Sequence, residues 1–387
     1  MHQPQKRRKT AFLILCIGCI AAIAIYGWIT VRSRRAPAPV VTPHQPPAET
    51  GAAPAPIVAP AAPEEHAVTA PAKPRVGRSG ETAPQPVPPV AVPSKPEAKP
   101  ALLYFEANAL GENYGKVAVA PLNDMAQRRY ASDLFCDRVH FSGGSGVCLH
   151  ADRGMFTTYW AIGFDGQMRR RWSFQLNGLP SRVRVSPSGR LAAITIFLVG
   201  QSYTSLNFAT QTMILNAATG QILVDNLEQF SVTRDGAEFK AKDFNFWGVT
   251  FARDENRFYA TLWSKATTYL VEADLAKRTA KVVHDVVECP SLSPDNTRIA
   301  FKKRAPGPRV VWRLTVLDLK SGKETPLAEN RSVDDQVEWL DNDHILYALS
   351  ESETGASAST DIWAIPAIPE GRPQLLLQGG FSPAVAR

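Results

Sequence analysis

Two hydrophobic patterns divide the chain. From Ala11 to Val31 the sequence AFLILCIGCIAAIAIYGWITV runs 21 residues without a charge. As a helix rising ~1.5 Å per residue it matches a hydrocarbon core of ~30 Å, so it is expected to cross a membrane. Tyr26 and Trp28 sit near its far end, where amphipathic rings favour the interface. Beyond Ala101 the apolar residues instead come in short runs separated by turn residues, as in Val185-Ser186-Pro187-Ser188-Gly189-Arg190-Leu191-Ala192-Ala193-Ile194 and Leu292-Ser293-Pro294-Asp295-Asn296-Thr297-Arg298-Ile299-Ala300-Phe301. Runs of this length and spacing are β-strands, not helices.

These runs repeat. Six units begin at Phe141, Val185, Phe251, Leu292, Trp339 and Phe381, at intervals of 44, 66, 41, 47 and 42 residues. The long second interval holds an insertion around Glu228 to Phe244. Further strands follow each start, turning through motifs such as Ala218-Thr219-Gly220 and Lys320-Ser321-Gly322 that tolerate positive φ. Four strands in roughly 43 residues is the size of one propeller blade. The sixth unit has only its first strand, Phe381 to Ala386, and its missing strands are expected from Lys116–Ala120 and Arg129-Tyr130. Such a closure would leave no open edge in the ring.

The apolar residue, Ser-Pro-Asp-like turn, basic residue and apolar strand at Val185–Ile194 and Leu292–Phe301 resemble the repeat of TolB-like six-bladed propellers. The other units match in part, and the likeness covers about three-quarters of the chain. It implies an all-β fold for residues 101–387, without the α/β domain that precedes the propeller in TolB. A stretch from Ala161 to Trp172 is also similar to quinoprotein-type propeller repeats.

Composition changes the picture between these two patterns. Eighteen of 31 prolines lie between Ala36 and Pro100, in segments such as PHQPPAETGAAPAPIVAPAAP. Proline removes donors and fixes φ, so residues 32–100 are expected to be a disordered stalk of polyproline II character. Its reach is at most on the order of 200 Å. Charge sharpens the division. Residues 1–100 carry 12 Lys/Arg against 5 Asp/Glu, leaving 31 of each for the remainder, so the net +7 belongs to the membrane flanks. Residues Lys6 to Lys9 precede the apolar run and Arg32, Arg34 and Arg35 follow it. The domains expected are a cytoplasmic tail (1–10), a signal-anchor helix (11–31), the stalk and the propeller. The anchor is preferred to a cleaved signal peptide because signal cores are shorter, ~7–15 residues. A neutral head lacks the basic footprint of nucleic-acid binders.

Candidate chemistry is sparse. No GxSxG elbow is present, although TolB-like propellers sometimes accompany a serine hydrolase domain. Ser142–Gly146 lacks the Lys-Ser/Thr of a phosphate loop and reads as a hairpin turn. Related lyases hold a metal with several histidines; here His140, His150, His284 and His344 fall in different units, and His140 and His150, which flank one turn and could converge, lack a nearby carboxylate pair, so no metal or cofactor is expected. Cys136 and Cys148 flank the glycine-rich turn and can bridge across a hairpin, the simpler alternative being separate buried thiols.

On the innermost strands, residues one and three positions before each start share a face. They include His140 with Arg138, Arg184 with Arg182, and Glu338 with Gln336. One reading is a polar funnel in which these residues grip a peptide end or acidic ligand. The preferred one is that the charges pair between adjacent blades, because buried charges are normally paired. The leading functional expectation is a scaffold in the inner membrane, its propeller in the periplasm or cell exterior, binding an envelope protein or cell-wall component. A propeller enzyme acting on polysaccharide or peptide, and a small-ligand sensor, are the rivals.

Overall fold

The computed structural model describes residues 101–198, 208–307, 310–350 and 359–386. The expected membrane helix and stalk lie outside them. Among the described residues no helix is long and apolar enough to cross a membrane; the helices are two single turns, Met125–Gln127 and Leu227–Gln229.

The strands form six sheets, one per blade. Blade one comprises Arg138–Ser142, Ser145–Arg153, Thr157–Asp165 and Arg170–Leu176, counted from the axis outward. Blade two comprises Gly178–Val185, Leu191–Leu198, Thr210–Asn216 and Ile222–Val224. The innermost strands of blades three, four and five are Asn245–Phe251, Glu288–Leu292 and Glu338–Trp339. Blade six closes the ring: Gly380–Ala386 lies innermost and pairs with Leu102–Ala107, which pairs with Lys116–Pro121 and then Arg129–Phe135. The closing register sets Leu103 opposite Val385 and Tyr104 opposite Ala384. Strand Leu102–Ala107 is the one the repeat pattern did not supply.

Each blade is covered on both faces, which is why its middle strands read as continuous apolar runs. Six apolar clusters fill the six gaps between blades. Tyr104, Val119, Phe141 and Phe164 pack between blades six and one. Ala300, Val316, Trp339 and Tyr347 do so between blades four and five. Burial of this kind stabilises by ~25 cal/mol per Å² of apolar surface and makes the ring one cooperative core.

The insertion also has a structural task. Ser231–Arg234 lies parallel to Thr279–Asp285, the outermost strand of blade three, and Ala237–Glu238 adds beyond it. It covers an edge that would otherwise present bare backbone groups.

The repeat motif forms a ring of contacts at the ends of the inner hairpins, here called the turn face. Ser186 Oγ accepts from Leu191 N–H at 3.0 Å and Ser293 Oγ from Arg298 N–H at 2.9 Å, so the motif serine closes its own turn. Neighbouring turns then interlock: Arg253 N–H donates to Asn296 Oδ1 and Asp295 N–H to Asn342 Oδ1. Gly143, at φ +52, lies so close to blade two that a Cβ would stand 2.1 Å from Ser188 C. The opposite surface, the loop face, carries the connections between second and third strands.

Candidate functional site

Strand period two turns His140, Arg184, Thr250, Ser291 and Glu338 toward the propeller axis, where they line one cavity of about 170 Å³ opening on the turn face. Arg138, Arg182 and Gln336 line a second, much smaller one, about 20 Å³, on the loop-face side. His140 and Arg184 border both.

Between the cavities lies a waist of charge. Arg184 Nη1 bonds Glu338 Oε2 across the ring, from blade two to blade five. Its Nη2 donates to Val337 O at 2.9 Å and reaches Ser291 Oγ at 3.4 Å. His140 Nε2 stands 3.4 Å from the same Glu338 oxygen. Val185 N–H donates to His140 Nδ1 at 3.1 Å, so Nδ1 is the bare nitrogen and Nε2 carries the proton. The imidazole is therefore neutral and points its N–H at the carboxylate. The 3.0 Å approach of Arg184 Nη1 to Nε2 is the meeting of two donors on one acceptor. Arg184 Nε is buried without a hydrogen-bond partner among the described residues.

The other residues of the expected funnel are also engaged. Arg138 pairs with Asp335 at 3.0 Å and lies over the Phe381 ring, 4.3 Å from its centroid. Arg182 reaches Asp334 at 3.8 Å, which Lys302 also bonds. Gln336 Nε2 donates to Val249 O and Pro290 O, both at 3.0 Å. The charges thus pair, but across the axis and not between adjacent blades, and the partners Asp334 and Asp335 come from the approach to blade five, which strand alternation did not point to.

Sequence reasoning also missed Arg253, which lines the turn-face cavity. It occupies the third position of its repeat, where Pro187, Pro294 and Pro383 stand in others. That replacement was the available signal.

Beside the funnel, Glu106 on strand Leu102–Ala107 is 9% exposed. Burial, and then the nearby charge of Asp137, push its carboxyl up to about 8. Asp137 itself accepts from Ala151 N–H at 2.7 Å and pairs with Arg153 at 2.5 Å. Next to it the sulfurs of Cys136 and Cys148 are bonded, with Cα atoms 5.4 Å apart, and Cys289 is a buried thiol. His140 and His150 do not converge: His150 turns to Asp137, 3.8 Å away. Among the described residues no three His, Cys, Asp or Glu side chains gather as a metal site.

No protein-family model matches the chain, and no curated protein matches it in sequence. Solved structures do match in fold. TolB from Acinetobacter baumannii superposes with a TM-score of 0.51 at 16% identity, over 74% of this chain and 66% of that one, just under two thirds of its length. The nidogen/laminin complex gives a TM-score of 0.48 at 10% identity, over 74% and 98%. A puromycin-hydrolysing peptidase of Mycobacterium tuberculosis gives 0.42 at 13%, over 72% and 45%. At these identities the likeness is one of architecture. With five four-stranded blades, a third blade extended to six strands, and interlocked turns between neighbours, the described residues from 101 to 386 have the fold of a TolB-like six-bladed β-propeller.

Proposed function

We propose that this protein is a membrane-tethered, extracytoplasmic scaffold whose propeller docks another protein through its loop face. The observation that carries this reading is a set of bare apolar side chains on adjacent blades. Met155 and Phe156, at the tip of the hairpin in blade one, are 94% and 80% exposed, and Leu110, in the corresponding loop of blade six, is 79% exposed. Tyr114 and Leu179 add to the same face. Large apolar residues left in water at one place mark interaction surfaces, and rigid propellers present them without any chemistry. At the waist of the channel, by contrast, Arg184 and Glu338 are paired with one another.

Two features support the location. The 21-residue apolar run between clusters of cations suits a bilayer anchor, and the Cys136–Cys148 bridge suits an oxidising compartment. The proline-rich segment supplies reach toward a partner in the envelope or wall.

The test is a photo-crosslinking residue placed at Phe156 of the full-length protein in cells. A discrete crosslinked protein, lost when Met155→Ser and Leu110→Ser are added, is expected. Crosslinking only to lipid, or adducts indifferent to those substitutions, would overturn the reading.

A further inference from the structure

We infer that the axial cavity on the turn face is a binding site for an organic monocarboxylate of small, largely apolar body, held by Arg253 at its rim and Arg184 at its floor. This cavity lies opposite the loop face, so the inference is independent of the docking proposal.

Arg253 first shows that the cavity is not simply a gap where six strands meet. The third position of the repeat lines the mouth, and Pro187 and Pro294 fill it with apolar ring surface. Arg253 puts a guanidinium there instead. Its side chain is exposed and forms no ion pair among the described residues, whereas most arginines of the propeller have a carboxylate partner. Its backbone N–H serves the ring through Asn296, but any residue other than proline would provide that. Folding therefore asks nothing of the Arg253 side chain.

Arg184 is the second, separate observation. It is 6% exposed, and its Nε is a buried donor without a partner among the described residues. Buried donors are normally satisfied, and Arg184 is a charged residue of the cavity lining whose guanidinium the ring leaves incompletely satisfied. The charges also fix the sign of the guest. Arg184 and Arg253 contribute two positive charges, Glu338 one negative, and His140 none, because Val185 N–H occupies Nδ1. The cavity holds one surplus positive charge, which a single carboxylate neutralises. A guanidinium fork matches the planar carboxylate in both geometry and donors.

Size and walls define the rest. A volume of about 170 Å³ corresponds to the space of roughly six waters, enough for a small acid or one terminal residue of a chain. Phe251, Leu292 and Trp339 supply an apolar lining, so the body of the ligand is apolar and its one charged end meets the arginines.

The experiment is calorimetric titration of the full-length protein with phenylacetate, isovalerate, phenylacetamide, inorganic phosphate, and a short peptide ending in phenylalanine as its free acid and as its amide. Saturable binding of the free acids with no binding of the matched amides is expected. Arg253→Gln should weaken it at least tenfold while leaving the melting temperature unchanged, and Arg253→Lys should weaken it less. Binding of the small acids identifies a free ligand, and binding of the peptide acid alone identifies a chain end; either supports the site. Equal binding of acid and amide, an Arg253-dependent response to phosphate as strong as that to carboxylates, or no binding of any probe would overturn it.

Discussion

The Ser186 hydroxyl of blade two donates a 2.7 Å hydrogen bond to the carboxylate of Glu255 in blade three. The same carboxylate takes Ser188 N–H at 3.0 Å and pairs with Arg190 at 2.6 Å, so one side chain gathers the whole preceding turn. It does this from a left-handed backbone, φ 59, at a position where the equivalent residues are Gly189 (φ 76) and Asn296 (φ 62). Such a conformation costs a non-glycine residue ~1–3 kcal/mol. The cross-blade bonds outweigh it.

Glu255→Ala should therefore destabilise the propeller by about 2–4 kcal/mol, because the Ser186 hydroxyl, the Ser188 N–H and hydroxyl and the Arg190 guanidinium lose their acceptor in a site only 4% exposed. Burial alone would raise the Glu255 carboxyl, but the bonds from Ser188, Ser186 and Arg190 prevail and hold it below the usual carboxylate range. A depressed folded value means that its contribution is complete above the unfolded value near ~4.3 and fades as pH falls through the folded one. Urea unfolding should show the gap between wild type and Glu255→Gln at pH 7 and its disappearance in strong acid. A gap that stays constant down to pH 2 would contradict the assignment.

Glu106 gives the opposite sign. Its carboxyl, pushed up to about 8, holds a proton in the fold that the unfolded chain releases near ~4.3. The unfolded state thus binds fewer protons between those values, and stability declines as pH rises through that window. Glu106→Gln removes the titration while keeping the shape. Its melting temperature should exceed that of wild type by a few degrees at pH 9 and converge with it at pH 5, as read by scanning calorimetry. Parallel curves across this range would show that Glu106 is ionised in the fold.

Much of this architecture was legible in the sequence because the repeat motif has a mechanical task. A serine that accepts the N–H five residues on, as Ser186 and Ser293 do, marks the inner turn of blades two and four. Blade five lacks that serine, and Asp341 takes over by accepting from Asp343 N–H and His344 N–H. Blade one uses Gly143-Gly144 instead, both at positive φ. Strand alternation likewise brought His140, Arg184 and Glu338 to the axis. It could not pair them, since Arg184 and Glu338 are 154 positions apart and meet only when the ring closes. Asp334 and Asp335 escaped for the same reason. Strand Leu102–Ala107 was missed because its partner, Gly380–Ala386, lies at the other end of the repeat series.

The disulfide illustrates a similar limit, since register decides it. Val139 lies opposite Cys148 in the inner hairpin of blade one, and the chain just before it brings Cys136 alongside. The bridge spans a sequence separation of 12, for which loop-closure entropy gives a stabilisation of about 3 kcal/mol. It joins blade one to the chain arriving from blade six, where the ring closes. Adding dithiothreitol during thermal unfolding should lower the melting temperature of wild type and leave Cys136→Ala/Cys148→Ala unaffected. Equal effects on both would show that the thiols are not bridged.

The waist of the channel offers the sharpest energetic test. Arg184 and Glu338 are each about 6% exposed, and their attraction in a low-dielectric setting offsets a large desolvation penalty only while both are present. Arg184→Met leaves the Glu338 carboxylate buried against a neutral imidazole and should cost about 3–5 kcal/mol. Glu338→Leu alone strands the guanidinium at a similar cost. The double variant removes both charges and keeps the volume, so it should recover most of the loss and fall well short of the sum of the two. A double-mutant cycle by urea unfolding gives the coupling directly. Additive losses would mean that the two side chains are hydrated separately in solution, and that the axis is an open polar funnel instead of two cavities divided by an ion pair.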